Sequence, residues 1–530
     1  MRFERILSLA VLLLFAVSAY MHIISAHEGA RDWLLLAARM WLGGKKLYVD
    51  IFEVNPPLIF WIYALPAYIA LHLRFLEAQQ ILVLLGLGVA ACSIFIAYEL
   101  IGVHPQFAGS RKRRNAFALL LCFAFIVLIY PAYFFDRDHI FLLLTFPYIV
   151  RFMPSIAHAS LPRHLRLLTG CLAGVGFCIK PHCLIVFAGV QLLYALRSRS
   201  FAILVSIENI LIYSTGLVYV SLVCLTAPEY FSLVLPMAME TYSAFNRRLA
   251  GTEYLAGALF IFAITFVDFR LRYTSPYRKD IYYFIGICFC FLLYALTNNG
   301  WGYTYNPLLS IIYITTGLVL SEFLYLKREH AALGLPVKQF VQGIRACSFN
   351  FTLGSLCVIS LFFLAMERTC DTQESCRQDT ILLGEMRDNH VHSFGTITID
   401  FLAWARLADN SGTDWETRFN ALWMLPKFIL SDAEFKARHQ WILDYVGNAL
   451  AEDLDHRKPE LVFVNHDPEI DSEHLHINLL GYFSEYPNFS KAWKSYHYLH
   501  AVDICTSVDN AEHEDKHTGN CVYEVYRLEP

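Results

Sequence analysis

The stretch AQQILVLLGLGVAACSIFIAYELI, residues 78–101, carries one charged residue, Glu99, and is long enough to cross a bilayer as a helix. About 20 apolar residues rising 1.5 Å each cover the ~30 Å hydrocarbon core. Residues 201–226 and 307–326 have the same character. From Met1 to about Leu364 long apolar runs alternate with short polar breaks, whereas Ala365 to Pro530 reads as soluble sequence. The whole-chain composition agrees: 17% of residues are charged and 56% hydrophobic, against about 25% charged in an ordinary soluble domain. A net charge of −4 gives no sign of a nucleic-acid partner.

Basic residues in short loops mark the cytoplasmic side. The clusters are Arg111 to Arg114, Arg163 with Arg166, Arg197 with Arg199, Arg270 to Lys279, and Lys327 to Arg345. Placing all of them inside predicts spans near 6–25, 78–101, 115–133, 140–157, 167–180, 183–196, 201–226, 255–272, 281–297, 307–326 and 347–366, eleven in all. The N-terminus is then cytoplasmic and the C-terminal part extracytoplasmic. Residues 6–24 after Arg2 and Arg5 also resemble a signal peptide with Ile24-Ser25-Ala26 as its cleavage site, but the many later spans favour an uncleaved first helix. Pro57 to Leu73 is apolar too, yet a crossing there would invert every later loop, so it is expected to lie in or dip into the outer leaflet. The segments 167–180 and 183–196 are short on both sides of Lys180-Pro181 and read as a hairpin that does not fully cross.

The outward loops hold most of the acids, tryptophans and paired Asn or Tyr residues of the apolar region. The first, within residues 26–77, runs His27-Glu28-Gly29-Ala30-Arg31-Asp32-Trp33, an amphipathic Leu34 to Leu42, Gly43-Gly44, a Tyr48 to Asp50 turn, Glu53, and Asn55-Pro56-Pro57-Leu58. Later come Phe135-Asp136-Arg137-Asp138-His139, Lys180-Pro181-His182, and Asn298 to Pro307 with Trp301 and Tyr303. In these elements the chain resembles the GT-C superfamily of membrane glycosyltransferases, in the branch that uses dolichyl- or polyprenyl-phosphate sugars. That branch includes protein O-mannosyltransferases and lipid A aminoarabinose transferases. The resemblance covers roughly residues 1–366.

The chain departs from the pattern twice. The acidic pair common in the family is Asp32-Trp33 here, with Glu28 one turn earlier, and a Lys-Pro-Pro-Leu element of some relatives is Asn55 to Leu58. The asparagine brings no cation to a phosphate, so that charge must come from Arg137, Lys180, His182, Arg247 or Arg248.

The resemblance implies an α-helical polytopic membrane protein with a GT-C-like catalytic region at 1–366 and a small C-terminal α/β extracytoplasmic domain at 367–530. It also implies an inverting transfer of a sugar from a polyprenyl-phosphate donor to a periplasmic acceptor at the inner membrane. The acceptor hydroxyl needs a general base, and Asp32 is the first candidate, with Asp138 second and Glu28 and Glu53 as further acids. Asp32 also reads as the N-cap of a helix over Trp33 to Leu42, and Asp138 as a partner of Arg137 or the cap of the next span. The leaving phosphate needs cations or hydrogen-bond donors, for which Arg137, Lys180 and His182 are candidates. Lys180 reads equally as an interfacial lysine. Trp301 and Tyr303 are interface anchors or sugar platforms. No cofactor is assigned; a divalent metal ion is left open, because some relatives use one although His27-Glu28 and Asp138-His139 lack the spacing of a recognisable zinc site. The competing readings are a transporter or flippase of lipid-linked sugars and a non-catalytic scaffold; the absence of a clear internal repeat weighs against a transporter.

Beyond residue 366, helices are expected over Trp415 to Leu425, closed by Pro426, and over Ala433 to Leu450 after a Ser431-Asp432 cap. Strands are expected at 460–464 and 521–526. Cys370, Cys376, Cys505 and Cys521 permit disulfides in an oxidising compartment. The His and acidic residues from Glu512 to His517 read as a solvated loop.

Overall fold

The computed structural model describes residues 2–24, 29–73, 75–242, 278–297, 302–332, 379–399, 404–470, 475–504 and 522–529. The expected spans at 255–272 and 347–366, the four C-terminal cysteines, the 512–517 loop, and His27, Glu28, Arg247, Arg248 and Trp301 lie outside the described residues. The chain forms two compact units: residues 1–26, 79–222 and 247–366 in the first, and residues 27–78, 223–246 and 367–530 in the second.

The first unit is helical. Its described helices are Arg2–Ile24, Ala78–Ile101, Arg111–Cys122, Arg137–Arg151, Arg163–Phe177, Leu184–Ser198, Ile207–Thr226, Arg278–Thr297 and Asn306–Ala332. Four helical segments among the described residues are long and apolar enough to cross a membrane: Ala78–Ile101, Pro181–Ser198, Ile207–Thr226 and Lys279–Thr297. The segment expected as one span at 115–133 is interrupted, because a wider turn at Phe123–Val127 follows the helix Arg111–Cys122. On either side of Lys180 the helices Arg163–Phe177 and Leu184–Ser198 have 15 residues each. Arg163–Phe177 is thus about 22 Å long at 1.5 Å per residue, short of a bilayer core. The turn Pro181–Cys183 extends the second helix to the 18-residue apolar segment Pro181–Ser198, so the expectation of a hairpin short on both sides holds on the first side only.

The helix Arg137–Arg151 is buried along its whole length, charged residues included. Buried charge is tolerated only when it is paired. At the C-terminal end of this helix Arg151 Nε donates to Glu208 Oε1 at 2.8 Å, and Arg166 grips the same carboxylate at 2.8 and 2.9 Å. Gly170 makes this approach feasible, since a Cβ there would lie 2.9 Å from Glu208 Cα. One turn back, Tyr148 donates to Asn209 Oδ1 at 2.7 Å, and the Asn209 amide donates to Gln191 and to the Ile203 carbonyl at 2.8 Å each. These bonds tie three helices by polar contacts that apolar surroundings strengthen.

The second unit contains a mixed five-stranded sheet. Its strands are β1 (Ser393–Ile397), β2 (Asp414–Trp415), β3 (Leu461–Asn465), β6 (Tyr496–Asp503) and β7 (Val522–Leu528), in the order β2-β1-β3-β7-β6. A separate two-stranded ribbon pairs β4 (Glu469–Ile470) with β5 (Leu475–His476). Strands β1, β2 and β3 run parallel, and β7 is antiparallel to both β3 and β6. β3 and β7 fall within two residues of the strands expected at 460–464 and 521–526. Two helix expectations need correction. Trp415 is a strand residue beside Phe394, and Pro426 lies in the first turn of the helix Leu425–Leu430 instead of closing a helix. Proline lacks only a donor that the first turn leaves unused, so it opens a helix readily. The expected helix 433–450 is two, Ala433–Arg438 and Gln440–Glu452, broken at His439. Asp432 caps the first by accepting from Phe435 N at 2.8 Å.

Residues 29–73 of this unit form the helices Gly29–Leu42 and Leu58–His72. The segment between them joins the sheet domain as a partial edge, with Phe52 bridged to Phe419 and Phe52 N donating to Arg418 O at 2.9 Å.

Replacing Glu208 by alanine is expected to leave Arg151 buried without its counter-charge and to lower stability by about 3–5 kcal/mol. Thermal unfolding in detergent reads this. An unchanged midpoint would show that the Glu208 pairs do not hold the helices together.

Candidate functional site

In the first unit the candidate site is built at the N-terminus of the helix Arg137–Arg151. The chain reaches it through a 3-10 turn, Pro131–Tyr133, and then Phe135 in a left-handed conformation at φ 59°. A phenylalanine there is unusual and is held from several sides. Its N–H donates to His139 Nδ1 at 2.9 Å, and Gly86 lies so close that a Cβ at that position would sit 2.7 Å from Phe135 Cβ. The ring of His22 stacks on Phe134 at 4.1 Å and is fixed by the Ile126 carbonyl at 2.7 Å. Asp136 then starts the helix, and Arg137 and Asp138 follow in its first turn.

Asp138 is the hub. Lys180 Nζ donates to Asp138 Oδ2 at 2.9 Å, and the Tyr294 hydroxyl donates to Oδ1. The Asp138 side chain is 2% exposed and that of Lys180 8%, so the pair is desolvated. Arg137 pairs with Asp136 through Nε–Oδ1 at 3.1 Å, not with Asp138. Both cations converge on one ring: Arg137 Cζ lies 5.3 Å and Lys180 Nζ 5.2 Å from the centroid of Tyr303. Such distances suit a cation over an aromatic face. His182 lies half-buried on the next turn, Pro181–Cys183.

The structure therefore brings Arg137, Asp138, Lys180 and Tyr303 together. Lys180 is held by a partner and does not reach freely to an interface. Sequence reasoning missed Tyr294. Its signal was a phenol inside the apolar run 281–297, where a polar group needs a buried partner. It also left Asp136 without a role. The arrangement can present a guanidinium and an ammonium to one anion, with both cations oriented beforehand by carboxylates. Among the described residues no three His, Cys, Asp or Glu side chains are placed to hold a metal ion.

In the second unit, Asp32 lies inside the first turn of the helix Gly29–Leu42, which begins earlier than a cap at Asp32 would allow, and it is 4% exposed. Next to it, Trp33 Nε1 donates to Glu53 Oε2 at 2.5 Å. The other Glu53 oxygen accepts from Val54 N at 2.9 Å, Asn55 N at 3.2 Å and Asn55 Nδ2 at 2.6 Å. Glu53 thus ties helix to turn, and Asn55 serves it in place of a cation. Tyr48, at φ 67°, closes the turn by donating to Asn55 O at 2.7 Å.

This segment is fastened to the sheet domain through a buried acid. Asp453, fully buried, accepts from Arg418 N at 2.8 Å and from its Nε at 3.0 Å, and pairs with Arg457 at 3.3 Å. Arg457 in turn donates to Asp50 Oδ1 at 2.8 Å and to Asp50 O at 3.2 Å. Lys45 to Glu416 at 3.1 Å, an Arg39–Asp409 pair and the Trp33–Trp415 ring contact at 5.0 Å complete the seam.

No protein-family model matches the chain, and no curated protein matches it by sequence. Two solved structures do. The crystal structure of ArnT from Cupriavidus metallidurans in the apo state matches with a TM-score of 0.53, covering 98% of both chains at 13% identity. The chain has the ArnT fold. ArnT bound to undecaprenyl phosphate matches with the same TM-score of 0.53, over 97% of each chain at 11% identity. The likeness of fold thus covers nearly the whole chain, beyond the roughly 366 residues over which the sequence carries its resemblance. At these identities the likeness is one of fold.

Replacing Asp453 by alanine removes the buried acid that Arg418 and Arg457 share, leaving them only the more exposed Glu452 and Asp50, and is expected to lower stability by about 3–5 kcal/mol. The same change at exposed Asp455 should stay within about 0.5 kcal/mol. Hydrogen exchange at Phe52 N would rise in the first variant; protection equal to wild type there would disconnect the seam from Asp453.

Proposed function

We propose that the protein is a membrane glycosyltransferase that moves a sugar from a polyprenyl-phosphate carrier to an acceptor on the non-cytoplasmic face of a bacterial inner membrane. The observation that carries this reading is the ArnT fold over 98% of the chain, one of the matched structures being an undecaprenyl-phosphate complex. The pair of cations at Tyr303 supports it, since a lipid phosphate needs such partners.

In this reading an acceptor hydroxyl attacks the anomeric carbon of the donor as the bond from that carbon to the carrier phosphate breaks. A single displacement inverts the configuration. The hydroxyl proton goes to Asp32, and the bond electrons leave with the phosphate, whose growing charge Lys180 and Arg137 stabilise. Asp138, with both oxygens engaged, orients Lys180. Glu53 shapes the loop and Tyr303 supports the cations. Asp32 keeps the role of base because it lies in the loop that carries the family resemblance.

The test is transfer of radiolabelled sugar from polyprenyl-phosphate donors to membrane extracts. Asp32→Asn, folded in detergent, is expected to lose about 10²–10⁴-fold in rate. Lys180→Ala is expected to lose about 10²-fold or more and, because it leaves Asp138 buried without its cation, to lower the thermal midpoint as well. Full transfer by Asp32→Asn would move the base elsewhere. No transfer from any donor by wild type would favour a flippase or a scaffold.

A further inference from the structure

The helix Gln440–Glu452 buries Ile442, Leu443, Val446 and Leu450 and turns Trp441, Asp444, Tyr445, Asn448 and Glu452 the other way, at spacings of three and four residues. With Arg418 this face lines an open cavity of about 420 Å³. Trp441 is 40% exposed on it, whereas every other described tryptophan is buried or half-buried. An indole left in water at the lip of a cavity is a costly arrangement for packing and a useful one for stacking.

The polar groups beside it are held in place. Asp444 Oδ1 accepts from Gln440 at 3.0 Å, Asn448 Oδ1 accepts from Asn488 at 2.9 Å, and Glu452 Oε2 accepts from Arg418 at 2.7 Å. The Asn448 amide also donates to the Asp444 carbonyl at 2.8 Å. Each side chain is oriented by its partner, yet each has further capacity: a second oxygen on Asp444 and Glu452, a second N–H on Asn448. The Arg418 hydrogen bond holds the Glu452 carboxyl below the usual carboxylate range, so it is an ionised acceptor at neutral pH. The lining has two carboxylates to one cation, and that cation is already engaged by Asp453, which disfavours an anionic occupant. Fixed acceptors about one helical turn apart, ~5.4 Å, beside a flat apolar ring match a ligand with many hydroxyls and an apolar face. The groove also adjoins the first loop: the Tyr445 ring lies 5.7 Å from Phe52, and Arg418 O accepts from Phe52 N at 2.9 Å.

We infer that this groove binds the saccharide portion of the acceptor, an uncharged oligosaccharide, with Trp441 as the stacking ring and Asp444, Asn448 and Glu452 as partners for its hydroxyls. The inference rests on the transferase reading for the word acceptor, but binding itself requires neither donor nor turnover.

The full chain in detergent, without donor, is applied to an array of neutral oligosaccharides printed beside phosphorylated and carboxylated ones. Neutral glycans are expected to be retained in preference to the anionic ones, with at least tenfold loss of capture in Trp441→Ala and in Asp444→Ala. Both residues are exposed, and unchanged thermal midpoints confirm that the variants are folded. The proposal is overturned if no neutral glycan is retained, if the anionic glycans are preferred, or if both variants capture as wild type does. Because no sugar is transferred, a failed transfer assay leaves this result standing, and failed capture leaves the transferase reading standing.

Discussion

The ion pair between Asp138 and Lys180 sets what the helical unit can be. A carboxylate and an ammonium removed from water must find each other, and here they do so across 42 residues of sequence. The Tyr294 hydroxyl completes the satisfaction of Asp138. With Glu208 gathering Arg151 and Arg166 at the other end, the helix Arg137–Arg151 is pinned by charge at both termini. Apolar packing alone would leave such a helix free to slide or rotate against neighbours of similar character. The charge pairs give it a register, and the same register points Arg137 and Lys180 at Tyr303.

A comparable logic operates in the second unit with water-soluble parts. Asp453 lies at the bottom of the seam and organises two arginines. The backbone of one and the side chain of the other hold residues 50–52. From there Glu53 reaches Trp33, and the helix that carries Asp32 is placed. The sheet domain is thus a structural part of the first loop, not an appendage to it.

Much of this was legible in the sequence because hydropathy and charge are local signals. The apolar runs at 78–101, 201–226 and 281–297 announce helices by composition, found at Ala78–Ile101, Ile207–Thr226 and Arg278–Thr297, and Lys180-Pro181 breaks its hairpin by covalent geometry. The Asp138, Arg137, Lys180 and Tyr303 cluster was anticipated as a set of candidates, since acids and cations in an apolar region have few reasons to be there. Pairing was not legible. That Arg137 would choose Asp136, or that Tyr294 would close on Asp138, depends on where helices cross, which no local pattern encodes. Trp415 misled for a related reason: its helical spacing is real, but pairing with Phe394 in the sheet outweighed it. The Pro426 error came from reading proline as a stop when it serves equally as a start.

The bond between Asp50 and Arg457 joins residues 407 positions apart. During synthesis at about 5–20 residues per second, the first loop emerges roughly 20–80 seconds before its fastening exists. Through that interval Phe52, Trp33 and the backbone of residues 50–52 lack the surface that later covers them. A stop between residues 367 and 452 would leave the sequence of the helical unit whole and its first loop without the acid that fastens it.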